Sequence, residues 1–328
     1  TAFVIFLYDI FGLTFIQVPW TPVALIGTAL AFMIGFQNNA AYGRIWEARK
    51  IWGGIVNNSR TWGMKIKDMI SNEHNKGENV SEEELNKIRL GFIYRQIAWL
   101  ISLRYAMRQP RRWEVFREHR TNREWSDMIH IPEQVSLLED NLMEYLTKEE
   151  MDYINDKTNK PAAILFLQSK NLRIQKERGL IWQFSFLNLE NTLQEFFNLQ
   201  GKSERIKNFP YPRQYATLSH FFIWIFVLFL PFGIVPEFSE IGEKFKDSFP
   251  LISDYFVWTS IPFIVLVKWV FHTMERIGRV GENPFEGSSN DVPISTISRG
   301  VEIDLLQLFE VDKDMIPAQF PEEYNVQM

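Results

Sequence analysis

The side chains that most often perform metal or covalent chemistry are few and badly spaced in this chain of 328 residues. The absence of cysteine excludes thiolate nucleophiles and cysteine-ligated metal centres. The histidines lack the three- or four-residue spacing that places two metal ligands on one helix face: His74, His119, His130, His220 and His272. Gly278 and Gly281 follow no predicted strand, so a phosphate-binding loop is not indicated. We therefore predict no metal site, no cofactor and no enzymatic activity.

One apolar stretch, residues 21–36, combines small and aromatic side chains and continues without a helix breaker into a run of amides. The residues that share one helical face here recur every three or four positions: Thr28, Phe32, Phe36, then Asn39 or Ala40, and Gly43. Several copies of this helix around one axis would form an apolar ring followed by amide groups, as in the lining of an ion pore. Packing of the aromatic rings inside a helical bundle is the alternative that the spacing leaves open.

A pore lined by this helix would lie in a membrane, and the distribution of charged residues predicts membrane-spanning segments. Residues 1–43 contain one charged side chain, residues 215–236 none and residues 248–267 one, although 23% of the whole chain is charged. A helix as long as the second of these runs measures about 33 Å, which matches the hydrocarbon core of a bilayer. Soluble core helices would rarely show three such runs. The net charge of −5 argues against nucleic-acid binding.

The first apolar run is divided by Pro19 and Pro22, because two prolines three residues apart do not fit inside a regular helix. The division predicts four transmembrane segments in two hairpins. The first segment is short for a span, so we expect further residues before Thr1. Basic residues, which favour the cytoplasm, flank one side of these segments: Arg44, Arg49, Lys50, Arg213, Lys268, Arg276 and Arg279. We therefore expect both termini and the long middle region to be cytoplasmic.

These segments divide the chain into four predicted parts. Residues 1–58 hold the first two transmembrane helices, including the candidate pore-lining helix, and residues 213–272 hold the third and fourth. Residues 59–212 are densely charged and show helical rather than strand periodicity, which predicts a large helical cytosolic region. Residues 273–328 form a C-terminal cytosolic segment. The predicted fold class is therefore an all-α membrane protein with four transmembrane helices per subunit.

Three short motifs resemble those of the bestrophin family of ion channels, specifically its bacterial branch. Residues 35–47 read Gly-Phe-Gln-Asn-Asn-Ala-Ala-Tyr-Gly-Arg-Ile-Trp-Glu and resemble the family signature at the end of the second helix. Residues 209–212, Phe-Pro-Tyr-Pro, resemble the approach to its third helix. Residues 282–285, Glu-Asn-Pro-Phe, resemble its C-terminal segment. The likeness covers nearly the whole chain in the right order, apart from an apparent insertion near residues 111–160.

The resemblance implies a homopentamer around one central pore, with a narrow apolar neck and a second constriction at the cytosolic exit. In this register the pore-lining residues are, from the neck to the cytosolic aperture, Thr28, Phe32, Phe36, Asn39, Gly43 and Ile181. The neck residues coincide with the face found from spacing alone. The aperture is placed only to within one residue, on or beside Ile181.

Two departures from the family pattern change what we expect of this chain. Animal members clasp calcium with an acidic cluster after Asn-Pro-Phe, but Ser288, Ser289 and Asn290 supply no carboxylate here, and calcium prefers several. We therefore expect no calcium gating. Thr28 is polar where the family neck is usually aliphatic, which predicts a wetter outermost ring.

The resemblance implies a channel of the bacterial plasma (inner) membrane whose partners are its own copies, the lipid bilayer and the permeant ions. Phe32 and Phe36 resemble the aromatic neck of the family's anion channels more than an aliphatic neck, which implies anion conduction, with chloride first. Ring chemistry alone leaves the sign of the ion open, because the electropositive edges of aromatic rings favour an anion. The ring faces attract cations instead, so a channel selective for monovalent cations is the first alternative. A non-conducting membrane scaffold that recruits partners is the second.

Overall fold

The computed structural model describes residues 1–75, 79–114, 128–209, 211–324 and 326–328. Within them the regular elements are helices, and the β-pairing consists of two isolated bridges, Ile70–Ile181 and Glu323–Val326. The α-helices in chain order are α1 (Ala2–Ile5), α2 (Trp20–Met69), α3 (Glu82–Arg108), α4 (Pro132–Val135), α5 (Leu138–Met143), α6 (Lys148–Asn155), α7 (Lys160–Glu177), α8 (Gln183–Asn208), α9 (Arg213–Glu243), α10 (Pro250–Tyr255), α11 (Ser260–Val280) and α12 (Ile294–Leu308). The all-helical prediction is confirmed for these residues.

The chain folds as two units, each built from two stretches of sequence. The first unit comprises Thr1–Gly43 and Tyr211–Glu282, and the second comprises Arg44–Pro210 and Asn283–Met328. The boundary therefore falls inside the sequence of α2, directly after Gly43. We describe the two units separately.

The first unit holds the apolar helices. Three helical stretches in the described part of the chain are long and apolar enough to cross a membrane: Thr14–Met69, Thr217–Glu243 and Phe256–Val280. The predicted first segment is helical over Ala2–Ile5 and Phe6–Ile10, a length of about 14 Å. That length does not cross a bilayer alone, so the four-span arrangement stays a prediction.

Helix α9 extends beyond the predicted run, passing through Pro231 and Pro236 to end at Glu243. Pro236 has no N–H to donate to the carbonyl of Phe232, four residues earlier. The backbone N–H of Val18 donates to that carbonyl instead, at 3.1 Å. The segment before α2 thus supplies the hydrogen bond that the proline removes, which lets the helix continue.

Helix α2 contacts α11 through a close approach at Gly278. A Cβ at this position would overlap Oδ1 of Asn38 and lie 3.3 Å from Cγ of Gln37. Gln37, which is 1% exposed, donates from Nε2 to Oε1 of Glu282 at 3.1 Å. Gly278 is therefore a packing residue that makes room for an amide side chain of α2.

The second unit has an aromatic core. The indole of Trp62 packs against the rings of Phe92 and Phe196 with centroid distances of 6.2 Å each, and Trp99 packs against Phe196 at 5.0 Å. These rings bring together α2, α3 and α8. The hydroxyl of Ser81 accepts from the N–H of Glu84 at 3.2 Å and caps the start of α3.

A buried ion-pair cluster joins α3 to α4. The guanidinium Nε atoms of Arg104 and Arg108 lie 3.2 and 3.6 Å from the carboxylate of Glu133, and all three side chains are at most 3% exposed. The hydroxyl of Ser295 donates to the same carboxylate at 2.8 Å. Buried charges are costly without partners, so Glu133 is required by the two arginines.

We expect Gly278→Ala to destabilise the protein by about 1–3 kcal/mol, because its methyl group displaces the Asn38 amide. Gly201→Ala is the control, since a Cβ at this helical position meets open space and alanine favours helix by about 1 kcal/mol. Thermal unfolding of the detergent-solubilised protein measures both. Equal melting temperatures for the two variants would contradict the close approach.

We expect Glu133→Ala to lower the free energy of unfolding by about 3–5 kcal/mol, because it leaves two buried guanidinium groups without their carboxylate. Asp304→Ala removes an ion pair of 2.7 Å with Arg60 whose side chains are 58% and 39% exposed. We expect this control variant to lower the free energy of unfolding by at most about 1 kcal/mol. Denaturant titration in micelles measures both free energies. A decrease for Asp304→Ala as large as that for Glu133→Ala would contradict the role of Glu133 as partner of the two buried arginines.

Candidate functional site

Helix α2 has a buried face and a solvent-exposed face within the first unit. We call the exposed face, which contains Phe32 and Phe36, the bare face. Val23, Leu30 and Ile34 are 1–3% exposed and belong to the core that also contains Phe226 and Leu230 of α9. Gly27 lies on the same buried face, where a Cβ would be 2.8 Å from the ring of Phe226. This spacing of three or four residues is the helical repeat, so the remaining positions point away from the subunit's own core.

The five predicted pore residues of α2 all lie on the bare face. At 100° per residue, Thr28, Phe32, Phe36, Asn39 and Gly43 fall within an arc of about 80°. Each is exposed, Phe32 by 67% and Phe36 by 72%. Within this subunit the structure therefore leaves a row of apolar rings and one amide on a common face. Exposed aromatic rings in a row mark a surface that contacts lipid, another chain or a ligand.

The hydroxyl of Thr28 is already used inside the helix. Its Oγ1 donates to the backbone carbonyl of Ala24 at 3.0 Å, one turn earlier. The hydroxyl proton of Thr28 therefore points back to the helix backbone. The sequence predicts a more hydrated outermost ring at this position. Below the phenylalanines, a Cβ at Gly43 would meet no neighbouring atom, so the backbone is open there.

Ile181 lies in the second unit and is 3% exposed, within the core that contains Leu180. It pairs with Ile70 in an isolated antiparallel bridge, in which the N–H of Ser71 donates to the carbonyl of Leu180 at 3.0 Å. The exposed side chain beside it is Trp182, at 47%. The assignment of Ile181 to the cytosolic aperture stays a prediction.

Trp182 belongs to an exposed ring cluster at the start of α8. Its centroid lies 5.3 Å from the ring of His74 and 4.6 Å from that of Phe184, which is 65% exposed. This cluster adjoins the predicted aperture and was missed from the sequence, because His74 precedes Trp182 by a long stretch of chain. His119, another histidine of the sequence, lies outside the described residues.

Arg44 has a structural role that sequence spacing does not reveal. In the second unit its guanidinium donates to the carbonyls of Ile206 at 2.9 Å and Phe209 at 3.0 Å. These carbonyls belong to the C-terminal end of α8, where backbone oxygens lack helical partners and carry partial negative charge. Arg44 therefore fixes the end of α8 to α2, immediately after Gly43. Its place in the motif of residues 35–47 was the only available signal.

Comparison with known proteins agrees with this architecture. A family profile described as Bacterial/Fungal Bestrophin protein matches residues 1–243. Voltage-dependent anion channel-forming protein YneE of Escherichia coli strain K12 is 25% identical over 307 residues, covering 94% of this chain and 82% of its own length. A protein of the same description from Ralstonia nicotianae is 25% identical over 282 residues, covering 86% and 74%.

Solved structures show the same fold. The crystal structure of a bacterial bestrophin homolog from Klebsiella pneumoniae has a TM-score of 0.67 to this chain and 20% sequence identity. It covers 93% of this chain and 92% of its own. Because the family profile matches most of the sequence, from Thr1 to the end of α9, the chain belongs to the bacterial and fungal bestrophin family.

Proposed function

We propose that this chain is the subunit of an anion channel and that its copies assemble as a homopentamer around one pore lined by α2. The observation that carries the proposal is the bare face of α2. A helix apolar enough to cross a membrane leaves Phe32 and Phe36 exposed on the same face as Asn39, an amide. Its relatives in Escherichia coli and Ralstonia are named voltage-dependent anion channel-forming proteins.

The neck of the proposed pore is the ring of Thr28, Phe32 and Phe36 side chains. A constriction lined by apolar rings resists wetting, so ions pass only where the lining compensates for lost hydration. The edges of phenylalanine rings are electropositive and offer that compensation to an anion. The amide of Asn39 and the open backbone at Gly43 follow below. We propose chloride as the first permeant ion.

The cytosolic aperture is proposed on or beside Ile181. An aperture needs side chains that are free to face the axis, and Trp182 meets that requirement in the isolated subunit while Ile181 is buried. The antiparallel bridge between Ile70 and Ile181 holds this turn in place. Trp182 is therefore the side chain to examine first at this level.

The proposed membrane arrangement has four spanning segments, with both termini and the second unit in the cytoplasm of the plasma (inner) membrane. The support is the position of the basic residues, which follow the second and fourth apolar segments, whereas residues 237–247, between the third and fourth segments, carry four carboxylates against two lysines. Residues 1–58 and 213–272 would then contain the membrane part, and residues 59–212 and 273–328 the cytosolic part.

Purified protein in planar bilayers under a potassium chloride gradient is expected to give currents whose reversal potential has the sign of chloride selectivity. The opposite sign would mean that ring faces rather than edges line the neck, and the channel would be selective for monovalent cations. No current at any voltage would favour a non-conducting scaffold. Five-fold symmetry of the purified particles supports the pore, and a monomer or dimer would contradict it.

Phe32→Ala and Phe36→Ala are each expected to change the single-channel conductance or the anion-to-cation permeability ratio at least about twofold, because each removes a ring from the narrow neck. Phe221→Ala is the matched control, since this phenylalanine of α9 is similarly exposed, at 59%, but lies on another helix. Conductance and selectivity unchanged in both neck variants, or changed equally in the control, would contradict the assignment of the neck.

A further inference from the structure

The loop after the Asn-Pro-Phe motif holds two half-buried carboxylates in the second unit, those of Glu286 and Asp291. We call residues 283–291 the acid loop. The carboxylate of Asp291 accepts from the N–H of Gly287 at 2.7 Å, from the N–H of Ser288 at 3.0 Å and from the Ser288 hydroxyl at 2.5 Å. Asp291 thus closes the loop on itself. Glu286 accepts a hydrogen bond at 2.5 Å from the neutral amide of Asn283.

The cations near the acid loop are already committed to other carboxylates. Lys207 of α8 is 4% exposed and its ammonium forms an ion pair with Glu114. Arg108 of α3 donates to the carbonyl of Phe285 at 3.2 Å and pairs with Glu133. Among the described residues, Glu286 has no ion pair of its own.

Other charged groups reinforce this imbalance. Asp291 on the loop and Glu114 beyond α3 both repel a negative charge on Glu286, and Lys207 attracts it. Arg111 repels the charge on Lys207. Desolvation by burial, followed by the two neighbouring carboxylates, raises the pKa of Glu286 to about 8. Around neutral pH its uncharged form therefore predominates in this packing.

The closed acid loop is also fixed to the pore-lining helix α2. The ring of Phe285 is 1% exposed and lies 6.4 Å from the indole of Trp52 on α2. Gly287 has a φ of +99°, and a Cβ there would lie 2.5 Å from Cδ1 of Ile131. This backbone conformation and close fit exist only while the loop is packed. Opening the loop would withdraw Phe285 from α2.

We propose that the acid loop is a pH-sensitive latch, held against Trp52 while Glu286 carries a proton and released when Glu286 ionises. The geometry supports this because the ammonium group of Lys207, which acts on Glu286, already forms an ion pair with Glu114, and Asp291 adds a second carboxylate on the same loop. Released from the core, Glu286 regains water and needs no proton. The further step, that release of Phe285 from α2 changes conduction, rests on the channel function proposed above.

The direction of the pH dependence follows from the raised pKa. The ordinary pKa of Glu286 is 4.5, and it is about 8 in the closed loop, so the closed form binds more protons. The contribution of this proton to the stability of the closed loop is complete below about pH 4.5 and decreases as the pH rises. It is lost above about pH 8. The ratio of open to closed loop then rises by up to about tenfold per pH unit within that window and levels off above it.

Two other groups of the cluster define where the test is clean. Burial also raises the pKa of Asp291, which adds to the same trend. Burial lowers the pKa of Lys207, which gives the opposite trend with pH. The contribution of Glu286 is therefore isolated by comparing the loop with its Glu286→Gln variant over the same pH range.

These 328 residues contain no cysteine, which allows a single label on the loop. Asn290 is exposed, so Asn290→Cys carries a nitroxide spin label outside the core of the protein. Continuous-wave electron paramagnetic resonance then measures label mobility against pH. We expect the mobile component to grow as the pH rises and to saturate above about 8.

The decisive variant is Glu286→Gln in the labelled protein, because glutamine mimics the protonated carboxyl and does not ionise. We expect its label to stay immobile at every pH, whereas Glu322→Gln, which changes an exposed carboxylate, keeps the unmodified profile. A flat profile in the unmodified loop, or an unchanged profile in Glu286→Gln, would overturn the latch. Bilayer currents recorded over the same pH range test whether opening of the acid loop changes conduction. Absence of current at all pH values would contradict the channel proposal and would leave the pH dependence of label mobility unaffected.

Discussion

Helix α2 packs one face against α9 and leaves the opposite face bare, and the rest of the first unit is arranged around that division. Gly27 brings the helix close to the ring of Phe226, while Val23 and Leu30 fill the same interface. Because a helix repeats every 3.6 residues, the positions opposite a continuous buried stripe form a second continuous stripe, which in α2 is exposed. Phe32 lies on that second stripe. Its exposure is thus a consequence of how α2 is packed.

The second unit is organised by buried charge. Carboxylates removed from water must be paired or protonated, because a lone ion in a medium of low polarisability is very costly. Glu133 meets this requirement with two arginines and the hydroxyl of Ser295. Glu286 has only a neutral amide, so it retains a proton to a much higher pH. The same physical rule gives one carboxylate a structural role and gives the other a capacity to respond to pH.

The family relationship and the bare face support the functional proposal in different ways. Matching folds at about 20% identity establish a shared architecture, and they leave the chemistry of the lining to the side chains of each protein. Here the proposed lining rests on α2 itself, where two rings and an amide share one exposed face. The hydroxyl of Thr28, bonded to the carbonyl of Ala24, shows how a polar residue is accommodated on an apolar face.

Much of this architecture is encoded locally in the sequence. The absence of charge over residues 215–236 indicates a helix long and apolar enough to cross a membrane, and the spacing from Thr28 to Gly43 indicates a shared face. Both depend only on helix geometry and on the cost of burying charge. Tertiary structure decided what depends on distant partners. Helix α9 continues through Pro236 because Val18 supplies a hydrogen bond, and burial beside Asp291 and Glu114 raises the pKa of Glu286. Periodicity contains no information on such pairings, since they join residues far apart in the chain.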